Sequence, residues 1–206
     1  MGLLRLLTQD PLAFILLAVP LLYSVILHEV AHGWVAYKMG DPTAKWMGRL
    51  SLNPLKHLDP FGTLMLFLVG FGWAKPVPIN IDNIQDKRKG LIFVSSAGII
   101  ANILLAFMAL LLSRLFSLAS SKIMAIFISF LVQINITLAA LNLIPIPPLD
   151  GSKILMGIAP RRIGYFLASL ERYGFLIIIG LLYVGILNPL IEFFRWIIVT
   201  LISLIL

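Results

Sequence analysis

Hydrophobic residues in this chain come in long runs instead of alternating with polar ones. Long apolar windows fall at about 11–38, 90–114 and 122–142, each at or above the roughly 20 residues that a helix needs to cross a bilayer. A further run extends from 173 to the C-terminus, broken by Asn188 and Pro189, and reads as one long span or two short ones. The segment Phe61–Trp73, FGTLMLFLVGFGW, is shorter, holds three glycines and leads into AKPVPIN. It is too short to cross, and its glycines and following prolines argue against a regular helix, so it reads as a re-entrant or interfacial element. The pattern therefore predicts an all-α polytopic membrane protein with about four to five transmembrane helices plus a membrane re-entrant loop or β-hairpin.

Composition agrees with the pattern. Of the 206 residues 60% are hydrophobic and 12% charged, and the mean hydropathy is +1.02, far from the balance of a soluble domain. Spans use up most of the length, so residues 1–206 read as one integral membrane domain, with a core over about 11–155 and membrane segments over about 173–206. The absence of cysteine excludes a disulfide framework and a thiolate metal site. The apolar start resembles a signal peptide, but no small-residue cleavage site follows it, and it is read as mature sequence.

The net charge of +7 matters through its placement. If the 61–73 element dips in and returns, residues 38–90 and 143–172 share one side of the membrane. They carry Lys38, Lys45, Arg49, Lys56, Lys75, Lys87, Arg88, Lys89, Lys153, Arg161, Arg162 and Arg172, against Arg5, Arg114 and Lys122 on the other side. The positive-inside rule puts the basic side in the cytoplasm and the N-terminus outside. The expected location is a multi-pass plasma-membrane protein whose basic residues report topology and not nucleic acid.

Chemistry enters at SVILHEVAHGWVAYKMG, where His28, Glu29 and His32 interrupt the first span. Residues four apart share a helix face, so both imidazoles reach one ion while Glu29 stands beside them. An ionisable side chain inside the hydrocarbon costs about 2.5–3.5 kcal/mol on insertion scales and marks a functional site by default. A catalytic zinc takes three protein ligands and an open position, and an adjacent carboxylate can accept a proton from its water. His32 precedes Lys38 by six residues, about 9 Å of helix, which places the cluster toward the cytoplasmic end.

Two histidines leave such a zinc one ligand short. His57, Asp59, Asp150, Glu171 and Glu192 are the candidates. Asp150 follows NLIPIPPL, where prolines forbid helix continuation, and irregular backbone at membrane depth is tolerated only where it lines a cavity. Asp150 is therefore preferred, with His57, in the turn-rich NPLKHLDPFG, as runner-up.

In chain order, HEVAHGW, NPLKHLDPFGT, GFGWAKPVPIN, SSAGIIAN and NLIPIPPLDG resemble the site-2 protease family of intramembrane zinc metalloproteases, in its minimal bacterial and archaeal form without PDZ or CBS modules. The resemblance covers about residues 20–155. It implies one Zn2+ per chain held by His28, His32 and Asp150, with Glu29 activating the water. It also implies catalytic roles for Asn102, in the GxxxN pattern from Gly98, and for Asn142, as groups polarising the substrate carbonyl or fixing its backbone. On residue spacing alone, Ser95, Gly98 and Asn102 share a helix face, as do Asn135 and Asn142, and small or amide residues on such faces also serve as packing glue.

The expected activity is hydrolysis of peptide bonds within or near transmembrane segments of membrane-protein substrates, such as a single-span protein or a signal-peptide remnant. KPVPIN, extended by its prolines, is expected to take an unwound substrate by strand addition. The alternatives are a divalent-metal transporter and a non-proteolytic relative that binds membrane segments; a transport site has no use for a non-ligating carboxylate beside two helical histidines.

Overall fold

The computed structural model describes residues 3–69 and 72–206, and among them the regular structure is helical. The chain runs α1 (Leu3–Gln9), α2 (Pro11–Lys38), α3 (Thr43–Trp46), α4 (Pro60–Val69), α5 (Lys87–Leu115), α6 (Lys122–Leu143), α7 (Asp150–Ile158), α8 (Arg161–Leu170), α9 (Gly174–Val184) and α10 (Leu187–Ile205). Among the described residues, five stretches are long and apolar enough to cross a membrane: Pro11–Lys38, Lys87–Leu115, Lys122–Leu143, Arg161–Val184 and Leu187–Ile205. The all-α polytopic reading therefore holds.

Helix ends follow local chemistry. The carboxylate of Asp10 accepts the Ala13 amide ahead of α2, where Pro11 sits at a first-turn position that needs no N–H donor. Asp86 caps α5 in the same way through the Lys89 amide. Pro145, Pro147 and Pro148 keep 144–149 out of helix and let α7 begin at Asp150.

α5 is the central element, packed against α2, α6 and α7, while α10 covers α6. The main core lies between α5, α6 and α10 and is built on Ile99, Ala106, Ile136, Ala139, Ala140, Ile198 and Ile202. Alanines at three of these positions let the backbones approach closely, as membrane helix pairs require.

Three expectations are refined. The 61–73 segment begins as a regular helix, α4, whose first turn is capped by Asp59 Oδ1 accepting the Gly62 amide at 2.7 Å; a glycine in a capped first turn costs little. Gly70 and Phe71 fall outside the described residues. No hairpin forms among the described residues, where the only β-pairing is an isolated bridge between Leu58 and Ala74. Residues 143–172 are not one loop, because they contain α7 and α8. Ile163, Phe166, Leu167 and Leu170 recur at the helical i, i+3, i+4, i+7 spacing that a search for long apolar windows passes over. The C-terminal region divides into α9 and α10 around Gly185, which adopts a left-handed φ of 80°.

Candidate metal centre

The predicted ligands converge. His28 and His32 sit one turn apart on α2, and Asp150 opens α7; all three are buried. His28 Nε2 and His32 Nε2 lie 2.9 Å apart, and each is 3.1 Å from Asp150 Oδ2. Donors at about 2.0–2.1 Å from a tetrahedral zinc stand roughly 3.3 Å from one another. The observed triangle is that size within a few tenths of an ångström.

Proton placement makes the same point independently. Asn135 Nδ2 donates to the Leu131 carbonyl at 2.7 Å and to Ser24 Oγ at 2.8 Å. A backbone carbonyl only accepts, so the orientation of the Asn135 amide is set, with its oxygen toward Asn102. Asn102 Nδ2 donates to that oxygen at 2.7 Å, which turns Asn102 Oδ1 toward His28 Nδ1 at 2.5 Å. His28 Nδ1 must then carry the proton. His32 Nδ1 faces the Val94 carbonyl at 2.7 Å and must carry one too. In its neutral form each ring therefore presents its Nε2 lone pair to the same point, which Asp150 Oδ2, buried and without a hydrogen-bond donor, also faces. Three donor atoms facing one another at this spacing form a site for a cation. The residues fit a divalent metal that takes nitrogen and oxygen donors.

α5 supplies the floor of this centre. A Cβ on Gly98 would lie 2.5 Å from His32 Nε2 and 2.6 Å from both Cε1 and Nε2 of His28. Only glycine lets the imidazoles lie over α5 at this depth. Gly151 plays a comparable part beneath Asp150, where a Cβ would meet the carbonyl oxygens of Leu143 and Ile144 at 2.4 and 2.6 Å. The glycine of the LDG motif thus allows the backbone approach that brings Asp150 under α2.

Glu29 stays out of the ligand triangle. Its Oε2 accepts the backbone N–H of Val77 at 2.8 Å, which pins the carboxylate beside the centre and ties α2 to the KPVPIN segment. That segment is anchored further by the Lys75 amide donating to the His57 carbonyl at 2.8 Å and by Arg49 Nη2 donating to the Lys75 carbonyl at 2.7 Å. From Lys75 to Pro78 no N–H is left for an added strand: two are taken and two residues are prolines. Strand addition over this stretch is thereby limited to the segment's carbonyls accepting from an incoming chain.

The remaining candidates are elsewhere. His57 is buried with Nε2 held by the Ser51 carbonyl at 2.7 Å, bracing its loop. Asp59 caps α4, Glu192 pairs with Arg195 on α10, and Glu171 lies exposed at the turn before α9. Asn142, half-buried in the last turn of α6, donates to its own helix at the Leu138 carbonyl. Spacing gives Asn135 only a face shared with Asn142, makes Gly98 the start of the GxxxN pattern and a small residue on the Asn102 face, and gives Ser24 no role. Ser24 stands one turn before His28 on the same face, and that spacing was the available signal.

The model of peptidase family M50 matches residues 16–119 and 115–184. A Bacillus subtilis protein named "Putative zinc metalloprotease YwhC" is 39% identical over 187 residues, covering 87% of this chain and 84% of the relative. A Mycolicibacterium smegmatis protein named "Putative zinc metalloprotease Rip2" is 34% identical over 181 residues, covering 85% of this chain and 69% of the relative. No solved structure matches the chain.

Proposed function

The chain belongs to peptidase family M50, and from that premise we propose that it is a zinc-dependent endopeptidase that cuts membrane-protein substrates within or near their transmembrane segments. The observation that carries the reading is the convergence of three lone pairs from His28, His32 and Asp150, with Glu29 beside them but outside the ligand set. A transport site would enlist that carboxylate as a ligand.

His28, His32 and Asp150 would hold the zinc, which when bound would supply a Lewis acid for the scissile carbonyl and for the attacking water. The chain's own groups do the rest. Glu29 takes the proton from the water and returns it to the leaving amine. The Val77 N–H holds one carboxylate oxygen of Glu29 and leaves the other to face the water. Asn102 has both ends of its amide engaged, by His28 and Asn135, so we read it as a positioning residue that sets the tautomer of His28 and not as a group touching substrate. Asn142 is tethered only to its own helix, and it remains the candidate for contacting the substrate carbonyl or backbone.

The hydrolysis site lies about 9 Å of helix from Lys38. The excess of basic residues on that side supports a position toward the cytoplasm, with the N-terminus outside. A transmembrane helix must unwind to be cut, because its carbonyls are occupied by internal bonds. The KPVPIN carbonyls not already held, those between Lys75, taken by Arg49, and Asn80, taken by the Asn83 amide, can accept the N–H groups that unwinding exposes.

The test is cleavage of a single-span substrate in liposomes by wild-type protein and by Glu29→Gln, with bound zinc quantified in both. The glutamine keeps an acceptor for Val77, so the local fold is retained. Cleavage is expected to fall by about 10²–10⁴-fold with zinc still bound. Equal cleavage by both proteins refutes the assignment of Glu29, and metal flux without cleavage refutes the protease reading.

A further inference from the structure

Arg161–Val184 has the length and hydropathy of a membrane span, yet both of its ends lie at the same end of the helix bundle. At its start, the Ala159 carbonyl accepts Arg88 Nη2 at 2.7 Å. Gly157 packs against the Arg88 carbonyl and Ile92. Arg88 is in the first turn of α5, and the last turn of α6 is at that same end, because α5 and α6 are joined through the short 116–121 connection. Beyond the segment, Leu187 opens α10 packed with Ile144, just past α6, and with Ile178 of α9. α10 then leaves for the opposite end, where Arg114 Nη1, in the last turn of α5, donates to the Leu206 carbonyl. A segment that starts and finishes at the metal-centre end does not cross.

The interior of the segment contacts the loops around the metal centre. Gly174 lies against Pro148, and the Phe175 ring is 5.5 Å from that of Trp73. The 3₁₀ turn Glu171–Tyr173 separates α8 from α9 within the roughly 36 Å that 24 helical residues would cover. Their exposed side chains are of two kinds. Tyr165, Phe166, Tyr173, Leu176 and Tyr183 are large and apolar or amphipathic, and Arg161, Arg162 and Arg172 are exposed cations set against the single acid Glu171. Aromatic residues beside arginines mark the headgroup level of a bilayer.

We propose that residues 161–184 form an in-plane segment docked on the lipid surface at the metal-centre end of the bundle, its arginines on anionic headgroups and its apolar side chains in the acyl boundary. The protein then has four crossings, α2, α5, α6 and α10, with both termini on one side. Contacts at Pro148 and Trp73 tie this segment to the loop that carries Asp150 and to the KPVPIN segment.

The chain is free of cysteine, so single-cysteine variants report directly. Arg162→Cys, Asn188→Cys and Ser120→Cys would be reconstituted in oriented vesicles and labelled with a membrane-impermeant maleimide. The expected result is labelling of positions 162 and 188 from one face and of position 120 from the other. Labelling of 188 together with 120 would show a fifth crossing and overturn the proposal. Spin labels at Phe166 and Leu176 provide a second reading in vesicles of phosphatidylcholine with and without phosphatidylglycerol. Both labels should report shallow depth, and phosphatidylglycerol should immobilise Phe166→Cys further, an effect lost when Arg161, Arg162 and Arg172 are changed to Gln. A label at Leu176 at the bilayer midplane, or a phosphatidylglycerol response that survives loss of the arginines, would refute the surface assignment.

Discussion

Replacing Gly98 by alanine adds one methyl group at the point where α5 meets both histidines. That carbon would stand 2.5 Å from His32 Nε2, whereas ordinary van der Waals contact begins at 3.4 Å, so the two must separate by 0.9 Å. Functional constellations hold their geometry to within about 0.5 Å, and this displacement exceeds that. Neither imidazole can step aside freely, because His28 Nδ1 is held by Asn102 and His32 Nδ1 by Val94. Alanine is the better helix former by about 0.8–1.0 kcal/mol, so α5 itself does not suffer. Zinc affinity is therefore expected to fall by at least ~100-fold, the upper end of what disturbing a ligand's support costs, or about 2.7 kcal/mol. Cleavage should fall with it. The assay is competitive zinc titration against a chelator in detergent, with helicity followed in parallel. Gly180→Ala is the control, since a Cβ there meets nothing within 4 Å. Wild-type zinc affinity in Gly98→Ala would refute the placement of the imidazoles over α5.

Asn102→Ala leaves His28 Nδ1 without its acceptor and should lower zinc affinity by about 10–100-fold; if zinc affinity is unchanged and only cleavage drops, Asn102 acts on substrate instead. Asp150→Ala should abolish stoichiometric zinc, whereas His57→Gln should retain it and lose thermal stability, as metal analysis and melting curves would show; the reverse pattern would exchange the two roles. Asp41 is buried, which by itself raises its pKa, but hydrogen bonds from Thr43, Asn83 and Asn80 outweigh the burial and hold the carboxyl below its ordinary value. Its contribution to stability is thus complete above about pH 3.9 and is lost as the pH falls through the lower folded value. Asp41→Asn should flatten that acid limb in melting curves taken from pH 6 to pH 2, and an unchanged slope would show that the clasp carries no such linkage.

Local patterns carried much of this protein. Three of the bundle's long helices are visible as apolar runs because a bilayer accepts little else over that length. His28 and His32 share a face because the helix repeat makes them, and prolines before Asp150 mark the break that lets α7 start there. Each of these signals lies within a few residues of sequence, where backbone sterics and solvent alone decide.

Other features required the fold. The proton placement at the centre depends on Leu131, Asn135, Asn102 and Ser24, contributed by α6, α5 and α2, and hydrogen-bond direction passes between them only once the helices are packed. Gly98 is indistinguishable from any small interfacial residue until His28 and His32 lie above it. Glu29 and Val77 are 48 residues apart, and the same bond that positions the carboxylate removes a donor from the KPVPIN edge. Residues 161–184 show the limit most plainly. Hydropathy measures what a segment tolerates around it, whereas crossing is decided by where its two ends are held, here by Arg88 at its start and by Ile144 and Leu187 after its finish, all at one end of the bundle.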